Sequence, residues 1–140
     1  EGDHFSPGGS YTLFEIEGFK AATLICYDAE FPETFRAVAG AGAELVLVPT
    51  ALGAQWGVVA NTVIPARAFE NGVYVCYANS CGHENGMGFF GGSCVIAPDG
   101  RELARAGAGE ELLHASIDNQ AIQAAQSRLP YLADRRRLPD

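Results

Sequence analysis

The chain has 140 residues, 48% of them hydrophobic, and a formal net charge of −8 at pH 7. That length predicts one compact domain burying roughly two-thirds of its unfolded surface. Its acidic balance, with the only dense basic cluster at Arg135–Arg137, argues against a face built for phosphate backbones, so no nucleic-acid partner is expected. The apolar runs are short and broken by Gly, Asp or Pro, and the N-terminus lacks the charged-then-apolar layout of a signal peptide. A soluble, cytoplasmic protein with no membrane partner is the expectation.

In chain order, "YTLFEIEG" alternates apolar and polar residues as a half-buried strand does, and "FKAATLICY" follows as a more buried strand, the two forming a hairpin. Phe31, Phe35, Val38 and Ala39 then recur at helical spacing, with Pro32 tolerable in the first turn and Gly40 and Gly42 near the exit. "LVLVP" reads as a strand covered on both faces, which points to a layered α/β fold. From Ala54 to Asn71 the pattern is helical again, but Pro65 cannot donate an interior hydrogen bond, so a kink or break is expected near Ile64. "VYVCYANS" is the next strand, "GHENGMGFFGG" a Gly-rich loop, "SCVIAPDGRELARAG" a strand, turn and strand, and "ELLHASID" a further strand. Residues 119–129 carry Ile122, Ala125 and Leu129 on one helical face, and the tail from 130 to 140 is expected to lie extended. No internal linker divides the chain.

Four cysteines stand at 26, 76, 81 and 94, with no C-x-x-C pair and no histidine at zinc-ligand spacing. Neither a disulfide scaffold nor a metal site is expected, and no cofactor. Cys76 and Cys94 lie in apolar runs as inert buried thiols do. Cys26 comes at the end of a predicted buried strand with a helix beginning about five residues later, a place where backbone N–H groups and the helix dipole favour a thiolate. Strand position alone would also fit a small inert core residue, and a Cys-His hydrolase would need one of the scattered histidines at 4, 83 or 114 beside it.

The surrounding segments weigh the other way. "ICYDAEFPETFR" with "GAELVLVPTA" resembles the nucleophile segment of the nitrilase superfamily, the carbon-nitrogen hydrolases. "FSPGG" ahead of it, and "ARAFENGVYVCYANSCG", "GGSCVIAPDGRELA" and "LPYLADRR" after it, agree in order and spacing. The resemblance implies an α/β fold, here half of a four-layer αββα sandwich. Residues 1–140 would form the C-terminal part of a single hydrolase domain, with 130–140 as a C-terminal arm. It implies Cys26 as nucleophile, Glu1 as the glutamate preceding the "F-x-P-G" stretch, and the backbone N–H of Tyr27 as a donor to the oxyanion.

The family's lysine and general-base glutamate lie upstream of these motifs. Lys20, the one lysine here, stands where the family has no catalytic lysine, so the chain alone is expected to be inactive. "CYDAEFPE" is closer to aliphatic amidases and omega-amidases than to nitrilases or N-carbamoyl hydrolases. The implied reaction is hydrolysis of a small amide through a cysteine thioester with release of ammonia, in a homodimer or higher homo-oligomer. Thr50, Ala51, Leu52 and Trp56 are candidates to line the pocket, Trp56 also fitting a helix core. Asn79 could hydrogen-bond a ligand or serve as a turn residue. Asp28 could cap the following helix, Arg36 could pair with a carboxylate, Arg67 and Glu70 could pair with each other, and Glu30 could face the pocket. A non-catalytic or regulatory member of the fold, and an unrelated α/β binding domain with an inert Cys26, remain the alternatives.

Overall fold

The computed structural model describes residues 4, 6 and 8–136. Glu1, and with it the implied second catalytic carboxylate, lies outside the described residues. A six-stranded mixed sheet organises the chain. Strands β1 (Leu13–Ile16) and β2 (Phe19–Thr23) form the expected hairpin. Its two-residue turn, Glu17–Gly18, takes positive φ at both positions, as turns that match strand twist require.

From β2 the chain passes through α1 (Pro32–Gly40) to β3 (Leu45–Thr50), and through α2 (Ile64–Asn71) to β4 (Tyr74–Asn79), giving three parallel central strands. Pro32 opens α1, where its missing N–H costs nothing. Strands β5 (Cys81–Glu84) and β6 (Met87–Phe90) then pair with each other as a separate two-stranded sheet. Strands β7 (Cys94–Ile96) and β8 (Glu102–Arg105) return to the main sheet and extend it antiparallel, completing the order β1-β2-β3-β4-β7-β8.

Alternation along the strands divides the core in two. Val46, Val48, Val75, Tyr77 and Ile96 meet Phe35, Val38, Ile64 and Ala68 of the α1–α2 layer. Leu45 and Tyr74 on the opposite face meet Ile122 of α3 (Asn119–Arg128), whose first turn is capped by Asp118 accepting from the Ala121 N–H at 2.8 Å. Towards the C-terminal ends of β3 and β4 that second face opens, with Leu47 and Cys76 half-buried and Pro49 and Ala78 exposed. A mixed sheet carrying the α1–α2 layer on one face and α3 over part of the other is the expected α/β class.

The structure corrects four local expectations. The Gly-rich segment is the β5–β6 hairpin rather than a loop, because Asn85 and Gly86 both adopt positive φ and close a two-residue turn. Residues 111–118 form no strand: no sheet edge takes them as a partner, and Leu112 is 80% exposed. The tail is not extended throughout, since Tyr131–Asp134 form a short helix, α4, whose Leu132 packs on the α1–α2 core and whose Tyr131 ring stands edge-on to Phe69 at 6.0 Å. Finally, β2 ends three residues before Cys26.

The break expected near Ile64 takes a specific form. Ala54–Trp56 is a 3-10 turn, Val59–Val63 a π turn, and α2 follows without interruption. The Ile64 N–H skips Ala60 and bonds to the Val59 carbonyl, five residues back, and the chain then reaches Pro65, which has no N–H.

Candidate functional site

Cys26 sits at the head of a 3-10 turn, Cys26–Glu30, beyond the C-terminal end of β2. The Leu24 N–H still reaches the Leu47 carbonyl at 3.0 Å, so the strand ladder continues almost to the turn before the chain swings out. Cys26 itself adopts φ +50°, the left-handed region that a side-chain-bearing residue enters only when its surroundings hold it there. The thiol is half-exposed, and its neighbours Ile25 and Tyr27 are each 63% exposed. The dipole of α1 acts on Cys26 from farther away than expected, because α1 begins six residues after it and the short turn intervenes.

Hydrogen bonds hold that turn from below. The Asp28 N–H bonds to the Ile25 carbonyl at 3.1 Å, and Thr34 donates its hydroxyl to the Phe31 carbonyl at 2.8 Å and to the Asp28 carbonyl. Asp28 therefore contributes a backbone acceptor; the residue at the start of α1 is Phe31, with no side-chain cap. Arg67 reaches across from α2, donating from Nη2 to the Glu30 carbonyl at 2.7 Å and from Nη1 to Glu70 Oε1 at 2.9 Å. The Arg67–Glu70 pair is as expected. Its tie to the Cys26–Glu30 turn is not legible in "ARAFEN", since it joins residues 37 apart. Arg36 meets Glu70 as well, donating to its backbone carbonyl at 2.8 Å.

Among the candidate lining residues, Thr50, Ala51 and Trp56 offer surface, and Trp56 at 55% exposure is no core residue. Leu52 is instead 6% exposed within the α1–α2 core. The Asn79 amide is engaged at both ends: Oδ1 accepts from the Leu52 N–H at 2.7 Å and Nδ2 donates to the Gly91 carbonyl at 2.7 Å. Asn79 thus clamps the end of β3 to the β6–β7 connection. Asn79→Ala is expected to cost about 2–3 kcal/mol, because it strands an N–H and a carbonyl together. Thermal denaturation checks this, and a loss within about 0.5 kcal/mol would contradict it.

Tyr77 lies beneath the site. Its side chain is 1% exposed and its hydroxyl has no hydrogen-bond partner among the described residues. Burial pushes the phenol up to about 12, with the nearby Thr50 side chain, which lies outside hydrogen-bonding geometry, pulling the other way and Cys26, Cys94 and Glu30 adding smaller upward pushes. Burial likewise raises the Cys76 thiol, and takes Cys94 up to about 11 despite Arg105 beside it.

These raised groups are neutral in the fold and would ionise more readily once unfolded. Their contribution is complete below their ordinary values of 9.0 and 10.0 and is lost as pH climbs through about 11 and about 12. Stability to denaturant is expected to fall by a few kcal/mol between about pH 8.5 and 11.5, since each tenfold difference in proton affinity between folded and unfolded chain is worth about 1.4 kcal/mol. A flat profile over that window would refute the assignment.

Lys20 is near the start of β2, six residues before Cys26 and on the order of 20 Å away along extended chain. No group of three His, Cys, Asp or Glu among the described residues is placed to hold a metal ion. No helix among them is long and apolar enough to cross a membrane.

Known proteins resemble the chain in sequence and in fold. The family profile described as carbon-nitrogen hydrolase matches residues 1–127. A Pseudomonas protegens protein described as a hydrolase in the pqqF 5′ region is 48% identical over 137 residues, covering 96% of this chain and 48% of its own length. An (R)-stereoselective amidase from a Pseudomonas species is 40% identical, covering 97% of this chain and 50% of its own length. A solved variant of a Nesterenkonia amidase, in which the acetamide moiety of fluoroacetamide is covalently added at the active-site cysteine, superimposes with a TM-score of 0.83 at 42% identity. The match covers 94% of this chain and 47% of that one. The chain spans about half the length of the relatives it matches, and it belongs to the carbon-nitrogen hydrolase family.

Proposed function

We propose that the protein takes part in cysteine-dependent hydrolysis of small aliphatic amides, with Cys26 as nucleophile. The observation that carries this reading is the half-exposed Cys26 thiol on a left-handed residue, braced from below by Arg67, inside the span that matches the family. The Cys26 sulfur attacks the amide carbonyl, forming a carbon–sulfur bond and a tetrahedral oxyanion. Collapse breaks the carbon–nitrogen bond, the nitrogen leaves as ammonia after taking a proton, and water then cleaves the thioester to the carboxylic acid. The Tyr27 backbone N–H is the proposed oxyanion donor, Glu1 the proposed supporting carboxylate, and Thr50, Ala51 and Trp56 the proposed walls of the acyl pocket.

The lysine and the general-base glutamate have no matching positions in this chain. Residues 1–140 are accordingly read as the C-terminal, cysteine-bearing part of one hydrolase domain. Cytoplasmic location and a homo-oligomer belong to the same proposal. Small amides are favoured over nitriles by the likeness to amidases and by the acetamide adduct on the Nesterenkonia active-site cysteine.

The test has two readouts on purified protein that also carries the lysine and general-base glutamate. Ammonia release from acetamide and butyramide reports turnover, and peptide mapping after limiting iodoacetamide ranks the four thiols. Cys26 is expected to be labelled well before Cys76, Cys81 and Cys94. Equal labelling of all four would remove the nucleophile. Preferential labelling of Cys26 without turnover, in protein supplied with the lysine and glutamate, would select the non-catalytic reading.

A further inference from the structure

The π turn leaves the Ala60 carbonyl without a helical donor, and a distant arginine supplies one. In an α turn the Ala60 carbonyl would accept from the Ile64 N–H, but that N–H goes to Val59. In a π turn it would accept from residue 65, which is Pro65 and has no N–H. Arg105, at the end of β8, donates from Nη2 to this Ala60 carbonyl at 3.2 Å. The same guanidinium donates from Nη1 to the Gly92 carbonyl at 3.1 Å and is held by the Glu102 carboxylate. Its side chain is 21% exposed.

A π turn inserts one residue relative to α winding. Everything upstream, Ala54 to Val58, is therefore rotated by about 100° relative to α2. Trp56 is in that upstream segment, and so is Gly57, where an added Cβ would come within 2.5 Å of the Phe90 ring. The direction in which Trp56 points depends on which winding the helix keeps.

We infer that Arg105 is a positioning residue for substrate specificity: by supplying the donor that Ile64 and Pro65 withhold from Ala60, it holds the π register and thereby aims Trp56 at the acyl pocket. Arg105 touches neither Cys26 nor substrate. Removing its side chain makes the α winding the alternative that satisfies Ala60, and Trp56 turns with it. The specificity consequence rests on the amidase reading; the register claim does not.

Trp56 is the chain's single tryptophan, so its fluorescence reports the segment directly. Arg105→Met is expected to shift the Trp56 emission and to change its quenching by iodide roughly twofold, as a rotation of about 100° re-exposes the ring. In a Pro65→Ala background, where residue 65 regains an N–H, Ala60 has a backbone donor in either winding. Arg105→Met should then have less than about half its effect, a non-additivity that simple loss of packing would not produce.

In the active enzyme the same variant should raise the KM for butyramide about fivefold more than that for acetamide, with kcat nearly unchanged. An unchanged Trp56 signal in Arg105→Met, or equal effects in both backgrounds, would overturn the inference. Should Arg105→Met fail to fold, recovery of folding in the double variant supports the inference and continued failure overturns it. If no Cys26-dependent turnover exists, the amidase reading falls while the fluorescence cycle still decides the register.

Discussion

In protein that also carries the lysine and general-base glutamate, Cys26→Ala is expected to abolish amide hydrolysis, lowering turnover by at least about a thousandfold, because the proposed thioester forms at that sulfur and no neighbouring group can replace it. The same substitution should leave the fold intact: Cys26 is half-exposed and the bonds bracing its turn all run through other residues, from Arg67 to Glu30, from Thr34 to Phe31 and Asp28, and from Asp28 to Ile25. Turnover and denaturant unfolding measured side by side separate the two effects. Full activity in the alanine variant would end the proposed mechanism, whatever the resemblance to other hydrolases. Loss of activity with a collapsed fold would leave Cys26→Ser, closer in shape, as the variant to measure.

Arg67→Met is expected to be among the most destabilising single changes near the site, at about 2–3 kcal/mol. The methionine fills much of the space but withdraws the donors from the Glu30 carbonyl and from the Glu70 carboxylate, both only partly open to water. Arg36 remains, but its guanidinium is 4.0 Å from the Glu70 carboxylate and cannot take over both roles. Since the Glu30 contact closes the turn headed by Cys26, the alkylation rate of Cys26 should change too. Unaltered stability and unaltered Cys26 reactivity together would show that α2 does not support the Cys26 turn. Lys at this position should recover only part of the loss, because one ammonium cannot span two acceptors held by different elements.

The parts of this architecture visible in the sequence are those that local pattern controls. Period-two alternation marked β1, continuous apolar runs marked β3 and β4, and 3.6-residue spacing marked α1 and α3. Pro65 announced an irregular helix, although composition alone could not say that it would be a π turn rather than a kink. The β5–β6 hairpin was missed because glycines dominate "GHENGMGFFGG", when the Asn85–Gly86 pair was the decisive signal. For 111–118 the alternation was present, but a strand also needs a partner, and pairing is decided by tertiary placement. At the site, the motif pointed to Cys26, whereas the contact that braces its turn joins Arg67 and Glu30, 37 residues apart, and the clamp at the end of β3 joins Leu52 and Asn79, 27 apart. Such long-range donors to backbone carbonyls leave no periodic trace.

The left-handed backbone at Cys26 has an evolutionary side. Glycine is the residue most at ease at φ +50°, and a side chain there carries a strain on the order of 1 kcal/mol. Mutational drift released from selection for chemistry would meet a small stability gain by discarding the thiol. Retention of cysteine at this position across diverging copies of the gene would therefore record continued use of the sulfur, and its replacement by glycine would mark lineages in which the scaffold outlived its reaction.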